Sequence, residues 1–362
     1  MENKKKIITV SLIMLGIIVV ISLIKFTNDN NTQAADNTQT STSQTQTLEA
    51  TSGELILNNR TITDVEQGIK LKEDTVITLI GDNVIKASAD GINSTSNLTI
   101  KGTGTLTIES GDDGIHTDED LIIESGTIKI VKSNEGLEGK NITINGGNID
   151  ITSSDDGLNA SGDEEFGDYK ITINGGDLKI NAQGDGIDSN GSITINGGNI
   201  YSFINSRANS AIDATTVNFN GGNIYYGGTA TDEGISENST QSYIYASGTF
   251  KENDKIIVKK DGKTITEFTI YLDSSNIAIS TKDIKKGETY EIYSGETKIT
   301  DAVAGEGGSG NIHGGGGRPG NFGNGEMPQG EGNFPNGKNF PNDMKAPDSS
   351  KNTNTNENIS TN

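Results

Sequence analysis

Seven times between residues 88 and 236 the chain repeats an acidic phrase around one small residue and one aliphatic: SADGIN, GDDGIH, SNEGLE, SSDDGLN, QGDGID, NSAID and TDEGIS. The residue before the glycine is Asp90, Asp113, Glu135, Asp156, Asp185, Ser210 and Glu233 in turn. Two residues after it come Asn93, His116, Glu138, Asn159, Asp188, Asp213 and Ser236. Carboxylates and amides recurring at two fixed offsets suit a hard cation, because Ca²⁺ takes six to eight oxygens from Asp, Glu, Asn and backbone carbonyls. The best-furnished positions are Asp112, Asp113, Glu135, Glu138, Asp155, Asp156, Asp185 and Asp188. A solvated acidic face, kept for solubility, is the competing explanation. Across residues 97–236 there are 22 acids against seven bases.

Something must hold these residues in line. The small residue of each phrase falls at Gly91, Gly114, Gly136, Gly157, Gly186, Ala211 and Gly234, at intervals of 23, 22, 21, 29, 25 and 23 residues. A second series, Gly104, Gly126, Gly147, Gly176, Gly198 and Gly222, moves in step, and both lengthen where GDEEFGDYK (162–170) is inserted. Two landmarks that absorb one insertion define a structural repeat. Its unit, NITINGGNIDITSSDDGLNAS, has period-2 apolar spacing at Ile142/Ile144 and Ile149/Ile151 around an Asn-Gly-Gly turn. Three short β segments in about 22 residues predict one coil of a parallel β-helix, whose equivalent residues stack about 4.8 Å apart. Ile92, Ile115, Leu137, Leu158, Ile187, Ile212 and Ile235 then form an inward column. Asn145, Asn174, Asn196 and Asn220 form a turn column whose amides bond from coil to coil. Stacked carboxylates repel by about 0.9 kcal/mol per pair in water, which proton uptake or a bound cation relieves.

The flanks differ in composition. Lys4, Lys5 and Lys6 precede an apolar run from Ile7 to Ile24, about 27 Å long as a helix and just sufficient to span a bilayer. Residues 1–25 are therefore expected to be a signal-anchor or a cleaved signal peptide, with the remainder exported to the outer face of the membrane or secreted. Residues 26–50 suggest a disordered stalk, 51–242 the β-helix, 243–304 a β extension capping the open end, and 305–362 a disordered Gly/Asn-rich tail. A net charge of −22 argues against nucleic acid as a partner. The absence of cysteine excludes disulfides, thiol nucleophiles and thiolate metal sites.

The run GDDGIHTDEDLIIESG, SNEGLEGKNITINGG, SSDDGLNASG, with KDIKKGETYEIYSGE and the Gly-rich tail, resembles the bacterial carbohydrate-binding parallel β-helix proteins. The resemblance covers about residues 50–320. It implies right-handed coiling of the parallel β-helix, a fold related to calcium-dependent pectate lyases, and binding of uronic-acid polymers or cellulose-like glucans. It also implies Ca²⁺ among Asp112, Asp113, Glu135, Glu138, Asp155 and Asp156. Ser210 and Ser236 replace acids in the later coils, so calcium is expected to be confined to the earlier ones. A lyase would need a cationic base beside Ca²⁺, for which Lys132 and Lys140 are the candidates, against their plain reading as solvated lysines. Tyr201 and Tyr225 fall at equivalent positions in successive coils and are candidates for a sugar-stacking platform, with packing filler as the alternative. The expected function is Ca²⁺-dependent polysaccharide binding without catalysis; a lyase and a surface spacer are the rivals.

Overall fold

The computed structural model describes residues 42–50, 53–162, 167–206, 209–228 and 235–305. The chain divides into two units, 1–314 and 315–362, and only the first holds described residues. Among these the protein is all-β: a right-handed solenoid of about seven turns, with no helix. Residues 7–24 and the tail lie outside the described residues.

One coil illustrates why the sequence folds this way. Ile92–Ser94, Leu98–Gly102 and Thr105–Glu109 are three short strands separated by turns. Their alternate residues Ile92, Leu98, Ile100, Leu106 and Ile108 point inward and are fully buried, while the residues between them face out. Each segment pairs in parallel with its equivalent one coil on. Ile92, Ile115, Leu137, Leu158 and Ile187 are consecutive partners in a single column, as predicted from spacing. Burial of five or six aliphatic side chains per coil, each worth about 1.5–3 kcal/mol, drives the stacking.

Two glycine types make the corners for different reasons. The second glycine of Asn-Gly-Gly takes φ of +99°, +93°, +92° and +88° at Gly147, Gly176, Gly198 and Gly222, a region other L-residues avoid. The glycine of the acidic phrase needs no such φ. A Cβ on Gly157 would lie 2.4 Å from the Gly186 carbonyl oxygen and 2.4 Å from Ile180 Cγ2. At that corner the coils approach too closely for any side chain.

The asparagine column is a hydrogen-bonded ladder. Asn174 Nδ2 donates to Asn145 Oδ1 (2.8 Å), Asn196 to Asn174 (2.9 Å) and Asn220 to Asn196 (3.1 Å). Asn196→Ala removes two of these bonds on an exposed edge. It is expected to cost about 1 kcal/mol, read as a shift of the urea midpoint, while Asn220→Ala, which loses one ladder bond and a long 3.4 Å bond from Thr240 Oγ1, costs less.

At the far end, Asn223–Gly228 pairs antiparallel with Ser274–Ser280, which in turn pairs with Tyr243–Phe250. This covers the last parallel strand, whose edge would otherwise invite association. A four-stranded antiparallel sheet follows, of Lys255–Lys260, Lys263–Thr269, Thr289–Ser294 and Thr297–Val303. Its first hairpin turns at Asp261 and Gly262 with φ of 50° and 75°. A second apolar cluster around Phe203, Tyr225, Phe250, Phe268 and Tyr290 fills the space under it.

Two expectations are corrected. Thr42–Gln44 and Leu48–Ala50 are strands paired in parallel with Arg60–Val65 and Ile69–Leu71, within the segment taken for stalk. Leu48 is 2 % exposed and stacks on Ile69, but one apolar peg among polar residues leaves no periodicity to find. The column also ends earlier than the spacing suggested. Ile235 bridges Val217, not Ile212, so its pairing falls on a different column from the one its spacing suggests.

Candidate functional site

The acidic corner is assembled by the backbone. Gly114, Gly136 and Gly157 N–H groups each donate, at 2.9 Å, to the carbonyl of Glu135, Asp156 and Asp185 in the next coil. Side chains also stitch it: Asp185 N–H donates to Asp156 Oδ1 at 2.6 Å, and Ser210 N–H to Asp185 Oδ1. Flanking the buried peg, His116, Glu138, Asn159, Asp188 and Asp213 follow one another in register.

Three groups of possible metal ligands lie along this corner, each with donor atoms within 4.8 Å of one another: Asp90/Asp112/Asp113, Asp113/His116/Glu138 and Asp156/Asp185/Asp188. They are not electrostatically alike. His116 Nδ1 lies 2.5 Å from Glu138 Oε2 and 3.5 Å from Asp113 Oδ2, and Nε2 lies 3.1 Å from Asp118 Oδ1. Hydrogen bonds to Asp113 and Glu138 push the imidazole up to about 11, so it carries a fixed positive charge. Burial opposes ionisation of Asp113, yet its hydrogen bond to His116 holds it below its ordinary value. The middle group thus contains its own counter-charge. Asp112 is raised, chiefly by the neighbouring Asp113 charge.

The Asp156/Asp185/Asp188 group contains no such counter-charge among the described residues. Among the described residues, no lysine or arginine is ion-paired with these three. Burial, reinforced by mutual repulsion, pushes Asp156 up to about 6, Asp185 to about 7 and Asp188 to about 8. Glu135 is raised to about 8, first by burial and then by Glu138. Between them sits Asn159, 9 % exposed, with column neighbours Glu138 and Asp188. Its Nδ2 donates to Glu135 Oε2 at 2.8 Å, but its buried Oδ1 has no hydrogen-bond partner. A buried amide oxygen left unpaired is costly, and an ion bound by oxygen would satisfy it.

Of the sequence candidates, Asp112, Asp113, Glu138, Asp156, Asp185 and Asp188 enter these groups; Glu135 stands in the column beside them, and Asp155 points to solvent. Asp90 and His116 also enter. Both occupy the two offsets, so the column rule could have found them; choosing ligands by local acid density passed them over.

The lysines are not brought together. Lys140 is half exposed, 3.9 Å from Glu119, on the side of His116 and Glu138. Lys132 lines a separate shallow depression with Lys86 and Glu109. The tyrosine platform is corrected. Tyr201 and Tyr225 do stack, with centroids 5.1 Å apart. But Tyr225 is 4 % exposed, its other face lies on Phe268 at 4.4 Å, and its hydroxyl bonds Thr266 Oγ1 at 2.6 Å. The C-terminal extension covers it, so it serves as packing.

The raised carboxylates make a pH prediction. In the unfolded chain they titrate near about 4, whereas folded Asp156, Asp185, Asp188 and Glu135 titrate at about 6, 7, 8 and 8. The folded state holds more protons across that window, so stability is full below it and falls as pH rises through it. His116 adds the same sign above its ordinary value of 6.5, up to about 11. With chelator present, the urea midpoint should be lower at pH 8.5 than at pH 5; a higher midpoint would show that the corner is not under charge strain.

No curated protein and no solved structure matches the chain. A family model described as "Carbohydrate-binding domain-containing protein" matches residues 66–318, from the second described coil through the extension. This match spans more than half of the 362 residues and includes every acidic coil. The chain therefore belongs to the family of carbohydrate-binding domain-containing proteins.

Proposed function

We propose that this protein binds polysaccharide through Ca²⁺ held on the acidic corner, with the Asp156, Asp185 and Asp188 coils as the principal site. The observation that carries this is the oxygen-only group without a counter-charge among the described residues, beside the unpaired Asn159 Oδ1. Ca²⁺ matches such a donor set: it accepts many oxygens at flexible geometry, whereas Mg²⁺ demands octahedral closure. A cation on a solvent-facing corner keeps open positions that a sugar carboxylate or hydroxyl pair can fill. Uronic-acid polymers are the favoured ligand, because a bound ion converts a repelling surface into an attracting one. The His116 group, already neutralised, takes Ca²⁺ less readily. The N-terminal lysines and apolar run favour export, which would place the corner on the outer cell surface or in the medium.

Calorimetric titration of the chelated protein with Ca²⁺, followed by polygalacturonate, tests this directly. Heat on the first titration, and polymer binding only after it, are expected. Polymer binding that is equal with chelator present would remove the ion from the reading. No heat with either would leave the corner as a solvated structural edge. Appearance of unsaturated oligouronide, absorbing in the ultraviolet, would make the protein a lyase.

A further inference from the structure

The Asn-Gly-Gly corners carry a reactive pair that the proposed function does not use. In an Asn-Gly dyad the glycine backbone nitrogen, once it gives up its proton, can attack the asparagine Cγ, because no side chain shields it. Both residues are required by the fold here. The asparagines build the ladder. A Cβ on Gly175 or Gly197 would lie 2.9 or 2.5 Å from the carbonyl oxygen of Asn145 or Asn174, respectively, in the preceding coil. The attacking nitrogens are also open: among the described residues, the Gly146, Gly175 and Gly197 N–H groups find no acceptor. Similar dyads elsewhere are tied. Gly221 N–H donates to the Ile195 carbonyl at 3.2 Å, and Gly191 N–H to Ser189 Oγ at 3.2 Å. At the acidic corner, the Gly114 and Gly157 N–H groups that follow Asp113 and Asp156 are held at 2.9 Å by carbonyls of the next coil.

We propose that Asn145, Asn174 and Asn196 are sites of spontaneous self-modification, converting to aspartate or isoaspartate, and that the ladder fixes the order in which they do so. At the first site the Gly146 nitrogen forms a bond to Asn145 Cγ, and ammonia leaves with Nδ2. Water then opens the resulting succinimide ring at either carbonyl. To react, the amide must first turn out of the ladder. Asn174 and Asn196 each hold two amide bonds to ladder neighbours. Asn145 stands at the foot: it accepts from Asn174 but donates at 3.0 Å to Glu124, a carboxylate on an exposed side chain. It therefore gives up one ladder bond where the others give up two. All three sit in the identical stretch Thr-Ile-Asn-Gly-Gly, so the local sequence does not rank them. Asn220 is also a ladder end, but its Gly221 nitrogen is engaged. Conversion to isoaspartate inserts a methylene into the backbone ahead of Gly147, whose φ of +99° makes the corner, and carries the carboxylate off the column. Asn174 then becomes the end of the ladder, and modification proceeds coil by coil.

Incubation of the full chain in isotopically labelled water at mildly alkaline pH, followed by peptide mapping in a mass spectrometer, reads the rate at each site as uptake of heavy oxygen. Asn145 should convert roughly fivefold faster than Asn174 and Asn196, the effect of one hydrogen bond, and Asn220 should lag behind Asn145. In urea the three identical stretches should converge on one faster rate. Asn145→Ala removes the acceptor of Asn174 Nδ2, so Asn174 should speed up roughly fivefold while Asn196 is unchanged. Circular dichroism checks that this variant is folded; if it is not, the order of rates in the native chain decides alone. Equal rates at Asn145, Asn174 and Asn196 in the folded chain overturn the proposal. So does conversion confined to urea, or a folded Asn145→Ala in which Asn174 does not respond.

Discussion

Gly157→Ala should destabilise the solenoid by about 3 kcal/mol or more, although it adds a single methyl group. The new Cβ would meet the Gly186 carbonyl and Ile180 Cγ2, both at 2.4 Å, and neither can withdraw. Overpacking of a close-packed interior costs about 1–3 kcal/mol. Relief by separating the coils also breaks the Gly157–Asp185 and Leu158–Gly186 backbone bonds, now 2.9 and 3.1 Å long. These are the bonds that hold Asp156 against Asp185, so cation affinity should fall with stability. Thr152→Ala, on the exposed face of the same coil, is the control and should melt with the native protein. Equal melting of Gly157→Ala would refute close approach as the reason for this glycine. The chain contains its own comparison: Ala211 stands at the equivalent place in the last coil of the column. There Ile235 bridges Val217, and among the described residues no further strand pairs on Ile212 to collide with the methyl.

The second large effect concerns the ion. Saturation with Ca²⁺ at about 100 times its dissociation constant should stabilise the folded protein by about 2.7 kcal/mol, since only the folded chain presents the ligands together. Asp185→Asn/Asp188→Asn should abolish that gain. The same double variant, measured in chelator at pH 8.5, should be more stable than the native chain, because two buried carboxylates under mutual repulsion become neutral. Asparagine keeps an oxygen at position 185 to accept the Ser210 N–H, so the backbone stitch survives. Thermal melts with and without Ca²⁺ measure both effects. A variant that is less stable in chelator and still responds to Ca²⁺ would place the ion elsewhere and assign the acids a structural task.

The fold was legible because a repeat writes the same physical requirement many times. One Ile-x-Ile is weak evidence for a strand, but the column from Ile92 to Ile187 is unambiguous, since each peg can be buried only by the one above and below it. The Asn-Gly-Gly series was legible for the same reason, as both its φ > 0 glycine and its amide ladder recur at every coil. Legibility failed where repetition stopped. Leu48 had no partner phrase to announce it, and Ile235 retained the sequence motif after the register had shifted. Tyr225 matched the outward face of Tyr201, but the residues that cover it come from Thr266 and Phe268, some forty positions later and outside the repeat.

The candidate site divides in the same way. Spacing alone determined that Asp113, Glu138, Asp156 and Asp188 share one corner, because the period of the coil is also the period of the column. Composition alone determined that this corner is rich in acid and poor in base. Which acids are strained was decided only by the tertiary structure. Ionisation depends on burial and on the nearest charge, and both vary from storey to storey while the motif does not. His116 neutralises one storey and is absent from the next; Asn159 turns one amide edge to Glu135 and leaves its oxygen unmatched. The sequence sets the ladder, and the packing between its rungs decides which carboxylates are under strain.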